Sequence, residues 1–321
     1  MERSVAILSA LALSVIACGA SAQQSYPAKP IRFVVPFPPG GGTDILARQV
    51  SNKLTERLKW NIVVDNKPGA GGNIGIDAAA KSPPDGYTIV IGQTSNLAIN
   101  PSLYKKLPYD PIKDLTPISL VAAFPIAITV SAKGPHKTFA DVIAAAKAKP
   151  GQLTFASSGN GTVAHLTGEL LQRAAGVKLI HIPYKGAAQA FPDLLGGRVD
   201  MFLSSLETAL PQVKAGTVRV VAVTSLKRVP VVSDVPTVSE TYKGFEATTW
   251  FGVFAPAKTP EPIVTRLTEE IEKVLQLPDV REHMAAGGSE VRSGPKELAA
   301  VLSADLPKWS KIVKESGAKV D

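Results

Sequence analysis

Two glycine-rich segments are the parts of the sequence best suited to chemistry. The first, Phe33–Asp44, starts in the apolar run Ile31–Val35, passes through prolines and glycines, and is followed by an apolar stripe at helical spacing. Thr43 or Asp44 is therefore predicted to cap a helix. The first N–H groups of a helix lack internal partners, and the helix dipole places partial positive charge there. This pattern predicts a site for an acid group.

The second segment has the same construction. Leu153–Ala156 is predicted to be a strand, Ser157–Gly161 the turn after it, and Thr162 the cap of a helix with Leu166 and Leu170 on its apolar face. The two segments lie far apart in the chain, so we expect them to belong to two domains. Our hypothesis is that both face one ligand.

Nucleotide binding is a weaker interpretation of these loops. Gly159–Ala164 fits the G-x-G-x-x-A pattern of dinucleotide sites, but that pattern needs an acidic residue about twenty residues further on. The window around Tyr184 holds Lys185 and no carboxylate before Asp193. The first loop lacks the Gly-Lys-Ser/Thr of a P-loop. Simple anion binding is favoured, and no cofactor is expected.

An exported hydrolase is a second alternative, with Ser158 as nucleophile and His165 as base. No Gly-x-Ser-x-Gly elbow surrounds Ser157 or Ser158, and no carboxylate that could orient the histidine is indicated. Asp44 could be a general base, although an acid in the first turn of a helix usually interacts with the dipole. The four histidines form no H-x-x-x-H pair. We expect neither a catalytic residue nor a metal site.

Composition is that of a globular protein. The chain has 321 residues, of which 45% are hydrophobic and 19% charged, and its length suggests about two domains. The net charge is +8, but the basic residues are dispersed and only 6% of the chain is aromatic. A nucleic-acid partner is therefore not expected.

The N-terminus is typical of a secretory signal peptide. The apolar segment Val5–Ile16 is followed by Ala20–Ala22, which forms an Ala-x-Ala cleavage site. We expect residues 1–22 to be removed after Ala22 and the mature protein to reach the periplasm. The alternative is that Cys18 belongs to a lipoprotein box and carries a lipid anchor.

Alternating strand and helix patterns predict a parallel, doubly wound sheet in each of two lobes. A break at Pro125 in the strand-like segment Ile118–Val130 places the first hinge there, and residues 227–249 form the second crossing. The final helices, which include Pro295–Ser316, are expected to return to the first lobe.

The expected lobes are residues 23–124 with 250–321, and residues 125–249, with a cleft between them. Ligands of open α/β sheets bind beyond the carboxyl ends of the strands. Polar residues at such ends are therefore added to the candidate site: Thr94, Ser95 and Ser204.

Many short motifs occur in an order that resembles one family over essentially the whole mature chain. The motifs are Pro36–Phe37, Pro39–Gly41, Thr43–Asp44, Pro68–Ala70, Pro84–Thr88, Ser157–Gly159, Gly161–Thr162, His165, Pro183–Gly186, Pro236–Thr237 and Ala255–Pro256. In these residues the chain is similar to the substrate-binding proteins of tripartite tricarboxylate transporters, the Bug type.

The resemblance implies an α/β, type II periplasmic binding-protein fold that closes on a ligand, with one ligand carboxylate held by both loops through backbone amides and water. It also implies integral membrane transporter subunits as partners. Ligands in the family include di- and tricarboxylates, acidic amino acids and aromatic acids. We expect a monomer; a sensor that signals across the membrane remains an alternative. The ligand-binding residues are predicted to be Phe37, Pro39, Gly40, Gly41, Gly42, Thr43, Asp44, Ser157, Ser158, Gly159, Asn160, Gly161, Thr162 and His165, with the three strand-end residues above.

Overall fold

The computed structural model describes residues 26–289 and 293–320. The expected signal peptide and Cys18 lie outside this part of the chain. Within it no helix has the length and apolar character needed to cross a membrane. The strands are β1 Ile31–Val35, β2 Ile62–Asn66, β3 Thr88–Gln93, β4 Leu115–Ser131, β5 Thr154–Ser157, β6 Ile180–Pro183, β7 Met201–Ser205, β8 Val218–Val223 and β9 Thr248–Pro256.

Helices alternate with these strands through most of the described chain. Short 3-10 or π-helical turns occur at Ala70–Gly72, Ser95–Ile99 and Pro230–Val232. The α-helices are α1 Gly42–Leu58, α2 Asn73–Ala80, α3 Asn100–Leu103, α4 Phe139–Ala148, α5 Val163–Ala175, α6 Ala187–Leu195, α7 Leu206–Lys214, α8 Val238–Thr241, α9 Glu261–Leu275, α10 Pro278–Ala286 and α11 Pro295–Ser316.

The strands form a mixed sheet in the order β2-β1-β3-β9-β4-β7-β5-β6, with β8 also paired to β4. Strand β1 is parallel to β2 and β3, and β5 is parallel to β6 and β7. The prediction of parallel sheets is right for these two groups. It is wrong for β4, β8 and β9, which pair antiparallel. We call the part around β1 and β3 the first half-sheet and the part around β5 and β7 the second.

Strand β4 joins the two half-sheets. It pairs with β9 from Leu115 to Pro125, and with β7 and β8 from Ile126 onward. The predicted break at Pro125 is therefore wrong, because the strand continues and only its partner changes there. Proline has no N–H to donate to a ladder, which suits a position where pairing changes.

The returning chain crosses beside β4 and is hydrogen-bonded to it through one threonine. The buried Thr224 hydroxyl accepts a hydrogen bond from the Ile126 N–H at 2.8 Å and also bonds to the Ala247 carbonyl. The Ala247 N–H in turn donates to the Thr224 carbonyl at 3.1 Å. The two crossings are thus held side by side where the half-sheets meet.

Helix α11 lies across both half-sheets. It packs on β4 and also contacts α5, where Arg173 and Glu315 form an ion pair at 3.2 Å. The buried Trp250 indole N–H donates to the Asp305 carboxylate at 2.7 Å and ties α11 to β9. The expectation that this helix packs with the first lobe therefore describes only part of its contacts.

The two glycine-rich segments form strand–loop–helix units. Helix α1 begins at Gly42 with Gly41 as N-cap, so Thr43 and Asp44 lie inside its first turn and the prediction that one of them is the cap is wrong. In the second unit the Thr162 hydroxyl accepts a hydrogen bond from the His165 N–H at 3.2 Å, which confirms the predicted cap.

Helix α2 packs directly against the chain that leaves β1. A Cβ added at Gly75 would lie 2.7 Å from the Pro36 Cα and 2.8 Å from the Lys67 carbonyl oxygen. These are backbone atoms, so a side chain cannot be accommodated by a change of rotamer. The absence of a side chain at position 75 therefore fixes how closely α2 supports the loop that follows β1.

We predict that Gly75→Ala destabilises the protein by about 1–3 kcal/mol because the added methyl overpacks this contact. Helix propensity alone would give the opposite sign, a gain of about 1 kcal/mol. Urea unfolding measures the difference. The control is Ala78→Gly on the same helix, where removal of a methyl should cost about 1 kcal/mol. A Gly75→Ala protein as stable as wild type would contradict the close contact.

Candidate ligand-binding cleft

A cavity of about 510 Å³ lies between the two half-sheets. Most of its wall is formed by residues at or beyond the carboxyl ends of β1, β3, β5, β6 and β7, and Ile126, Thr249 and Phe251 of β4 and β9 complete it. This is the edge at which open α/β sheets bind their ligands, and the volume is in the range of small-molecule sites. The cavity is therefore the candidate functional site.

The N-terminal turns of four described helices converge on the cavity. Its lining includes residues from the first turns of α1 and α5, which the sequence predicted, and of α6 and α7, which it did not: Gly42, Thr43, Val163, Ala164, Ala187, Ala188, Glu207 and Thr208. The starts of these helices, with the positive ends of their dipoles, therefore border a shared space. Such an arrangement favours an anionic ligand.

Ten of the predicted site residues line the cavity, and they come from both half-sheets. Ser95 follows β3 and Ser204 lies at the end of β7, in the positions from which both were predicted. The ten are Phe37, Pro39, Gly40, Gly41, Gly42, Thr43, Ser95, Ser158, Thr162 and Ser204.

The other seven predicted residues are not part of the cavity wall: Asp44, Thr94, Ser157, Gly159, Asn160, Gly161 and His165. Thr94 is fully buried, and its hydroxyl accepts a hydrogen bond from the Trp250 N–H at 2.9 Å. Asn160 is exposed. Gly161 packs against α3, because a Cβ there would lie 2.3 Å from a Leu103 methyl. Thr94 and Gly161 therefore contact other parts of the fold and not the cavity.

Asp44 holds the first loop in shape. Its buried carboxylate accepts hydrogen bonds from the Gly40 N–H, the Arg48 guanidinium and the Asn66 side-chain amide, each at 2.9 Å. Burial by itself would raise the pKa of Asp44, but these hydrogen bonds and the Arg48 charge outweigh it and lower the pKa below 3.8. The carboxylate therefore stays ionised, with its oxygens committed to the loop.

Two imidazoles, the buried His165 and the half-buried His181, support the second loop. The Ser157 hydroxyl lies 2.6 Å from His181 Nε2, and the His181 ring stacks on His165 with 4.0 Å between centroids. His165 Nδ1 accepts a hydrogen bond from the Gly161 N–H at 3.1 Å. Burial lowers the pKa of His165 to about 4, and burial with the neighbouring His165 lowers that of His181 to about 3. Both rings are neutral at pH 7.

This arrangement does not fit a nucleophile and its base. Ser158 lines the cavity, but the residue hydrogen-bonded to a histidine is its fully buried neighbour Ser157. His165 uses Nδ1 to hold the backbone of Gly161. Residues 26–289 and 293–320 also contain no group of three or more His, Cys, Asp or Glu side chains placed to bind a metal.

Sequence reasoning missed the part of the wall that follows β6 and the charged residue in α7. Lys185, exposed at the rim, and Glu207 are the two charged side chains among the described lining residues. The Pro183–Gly186 turn after a predicted strand was a usable signal, because it has the same strand–turn–helix order as the two loops. Nothing in the local pattern marks Glu207, since acids are common in first turns.

Part of the remaining wall is apolar, although Gln93, Gln212 and Thr249 also line the cavity. Aromatic and aliphatic side chains from both half-sheets face the same space as the helix N-termini: Phe37, Ile45, Ile126, Phe191, Pro211 and Phe251. A small molecule with an anionic end and a carbon chain would therefore find both a polar and an apolar surface here.

We predict that Asp44→Asn destabilises the protein by about 1–3 kcal/mol at pH 7, because an amide cannot accept all three hydrogen bonds. A lowered pKa in the folded state stabilises the fold above pH 3.8, and this stabilisation is lost as the pH falls through the folded pKa. The difference between the two proteins in urea unfolding should therefore shrink in acid.

The matched control is Asp279→Asn, which also lies in the first turn of a helix and pairs with a cation, Lys53, at 2.8 Å. Asp279 is 59% exposed and its ion pair is screened by water, so its substitution should cost much less stability than that of Asp44. Equal decreases in the free energy of unfolding of the two variants would contradict the role assigned to Asp44.

The chain was compared with known protein families, curated proteins and solved structures. Residues 46–318 match the family described as the tripartite tricarboxylate transporter family receptor. Protein BugT of Bordetella pertussis is 38% identical over 324 residues, which cover 100% of this chain and 99% of BugT.

Two solved structures are similar to this chain in both fold and sequence. An R. palustris protein solved with adipate superimposes with a TM-score of 0.87 at 35% identity, covering 92% of this chain and 100% of that one. MatC from Rhodopseudomonas palustris, solved with bound malate, superimposes with a TM-score of 0.82 at 31% identity, covering 90% of this chain and 100% of MatC. The periplasmic binding-protein fold expected from the resemblance is confirmed, and the chain belongs to the family of tripartite tricarboxylate transporter receptors of the Bug type.

Proposed function

We propose that this receptor captures a small carboxylate in the periplasm and delivers it to the integral membrane subunits of a tripartite tricarboxylate-type transporter. Members of the family are substrate-binding receptors and not enzymes. The observation that carries the proposal is the convergence of four helix N-termini on one cavity in the described chain. The adipate and malate in the two related structures support a carboxylate as the ligand.

The site is adequate for capture at low concentration. A hydrogen bond between an N–H group and a charged acceptor contributes about 1.5–3 kcal/mol. Several such bonds in a cavity shielded from water would support a free energy of binding near −8 kcal/mol, which corresponds to a dissociation constant of about 1 μM. The apolar wall adds the burial of the ligand's carbon chain.

Capture requires the cleft to open and close. In this proposal the lobes are residues 23–124 with 250–321, and residues 125–249, and they move about the two crossings. The change of partners in β4 at Pro125 and the hydrogen bonds of Thr224 support this division. Ligand binding would favour the closed form, because only there do the helix N-termini of both half-sheets reach one carboxylate.

Export through the N-terminal signal peptide, with cleavage after Ala22, is part of the proposal. Family membership supports a periplasmic location. A lipid anchor at Cys18 is the alternative, and mass measurement of the mature protein distinguishes the two. The net charge of +8 suits the attraction of anionic solutes.

We predict that Gly42→Pro weakens carboxylate binding at least tenfold relative to Gly42→Ala. Proline removes one N–H from the start of α1 but is tolerated at the first helical position. Gly41 has φ −82° and ψ 166°, the extended backbone that can precede proline. Gly42→Ala is the control, since it adds a Cβ at the same place and keeps the N–H.

Calorimetry with succinate, malate, adipate, aspartate and benzoate measures these affinities. At least one acid should bind wild-type protein with a dissociation constant of about 1 μM or tighter. No heat with any acid, from protein shown to be folded, would contradict carboxylate capture. Equal affinities of the two Gly42 variants would show that the α1 N-terminus does not hold the ligand.

A further inference from the structure

Glu207 is a carboxylate placed inside a site built for an anion. It lies in the first turn of α7 and forms part of the cavity wall. Its Cβ and Cγ lie 3.3 Å from the position of a Cβ added at Gly287, and its Oε2 lies 3.2 Å from the corresponding position at Gly42. The side chain thus extends from the second half-sheet to the N-terminus of α1.

The Glu207 carboxylate is not fully paired. Oε2 is buried and accepts no hydrogen bond from the part of the chain that the structure describes. Burial raises the pKa of Glu207, and a hydrogen bond from Ser205 opposes this shift only in part. A buried acceptor without a donor costs about 1–3 kcal/mol, so such groups call for an explanation.

The charges of the wall make this arrangement selective. Among the described lining residues the one cation is Lys185, which is exposed at the rim. A ligand that places a second ionised carboxylate near Glu207 would meet like charge, and a bare methylene would leave Oε2 unpaired. A hydrogen-bond donor at that point would remove both penalties.

We propose that Glu207 selects carboxylates that carry a hydrogen-bond donor, an ammonium or a hydroxyl group, on the carbon chain. The donor binds Oε2 while the ligand's carboxylate binds the helix N-termini. This inference rests on the proposed function and names the ligand class within it: amino acids or hydroxy acids rather than unsubstituted acids. An ammonium gives the larger preference, because it also neutralises the buried charge.

The alternative is a structural role, in which Glu207 only interacts with the dipoles of α7 and α1. The two roles make different predictions for Glu207→Gln, which keeps the shape and removes the charge. A structural role predicts a lower melting temperature and an unchanged order of ligand affinities. The selective role predicts a changed order with a melting temperature equal to or above that of wild type.

The test compares ligands that share one skeleton and differ only in the donor. Aspartate, malate and succinate carry an ammonium, a hydroxyl or a hydrogen at the second carbon, and glutamate, 2-hydroxyglutarate and glutarate form a longer series. Calorimetry gives the preference ratio, the dissociation constant of the unsubstituted acid divided by that of the substituted one. Measurements are made on the full mature protein, on Glu207→Gln and on the control Glu282→Gln, whose side chain is exposed on α10.

Wild type and Glu282→Gln should show a ratio of at least ten in one series, and Glu207→Gln should lower that ratio at least tenfold. A preference for the ammonium or for the hydroxyl identifies the donor. Equal affinities within both series, or a ratio that survives Glu207→Gln, would overturn the assignment to Glu207 and leave carboxylate capture standing. Heat with adipate or benzoate alone would also overturn the assignment to Glu207, and absence of heat with these two and with all six acids would instead overturn carboxylate capture itself.

Discussion

The candidate ligand site depends on the backbone N–H groups at the starts of helices, which have no partner within the helix. Each helix leaves its first N–H groups without a partner within the helix, and the first turns of four described helices line one cavity. Because the donors belong to the backbone, their positions are set by the fold and lose little freedom when a ligand binds. In the proposed function these donors hold the carboxylate of many different acids, and Glu207 selects among the acids by the hydrogen-bond donor on the carbon chain.

Much of the rest of the molecule keeps these backbone donors in place. Asp44 uses its charge to hold the first loop, and the neutral His165 and His181 rings support the second. Thr224 joins the two crossings where the half-sheets meet. Polar residues near a ligand site are therefore not all ligand contacts, since several of them satisfy the backbone behind the loops.

The sequence predicted the two strand–loop–helix units well because they are local. Apolar runs, glycine turns and a Thr162 cap are sufficient to locate β1, β5 and the start of α5 within one residue, whereas α1 begins two or three residues before the predicted position. It did not predict that β4 runs unbroken through Pro125, because strand continuity there depends on pairing with distant segments. Nor did it separate Ser158, which lines the cavity, from Ser157, which is buried against His181. The direction of each side chain in a turn is set by tertiary packing, and adjacent serines give no pattern that distinguishes them.

A crystal structure of the mature protein with its tightest-binding carboxylate is the most direct test of the central claim. Ligand carboxylate oxygens should lie within hydrogen-bond distance of backbone N–H groups in the first turn of α1, with a further contact from Ser158 or the start of α5. A ligand held outside this cavity, or a carboxylate bound only by side chains such as Lys185, would contradict it.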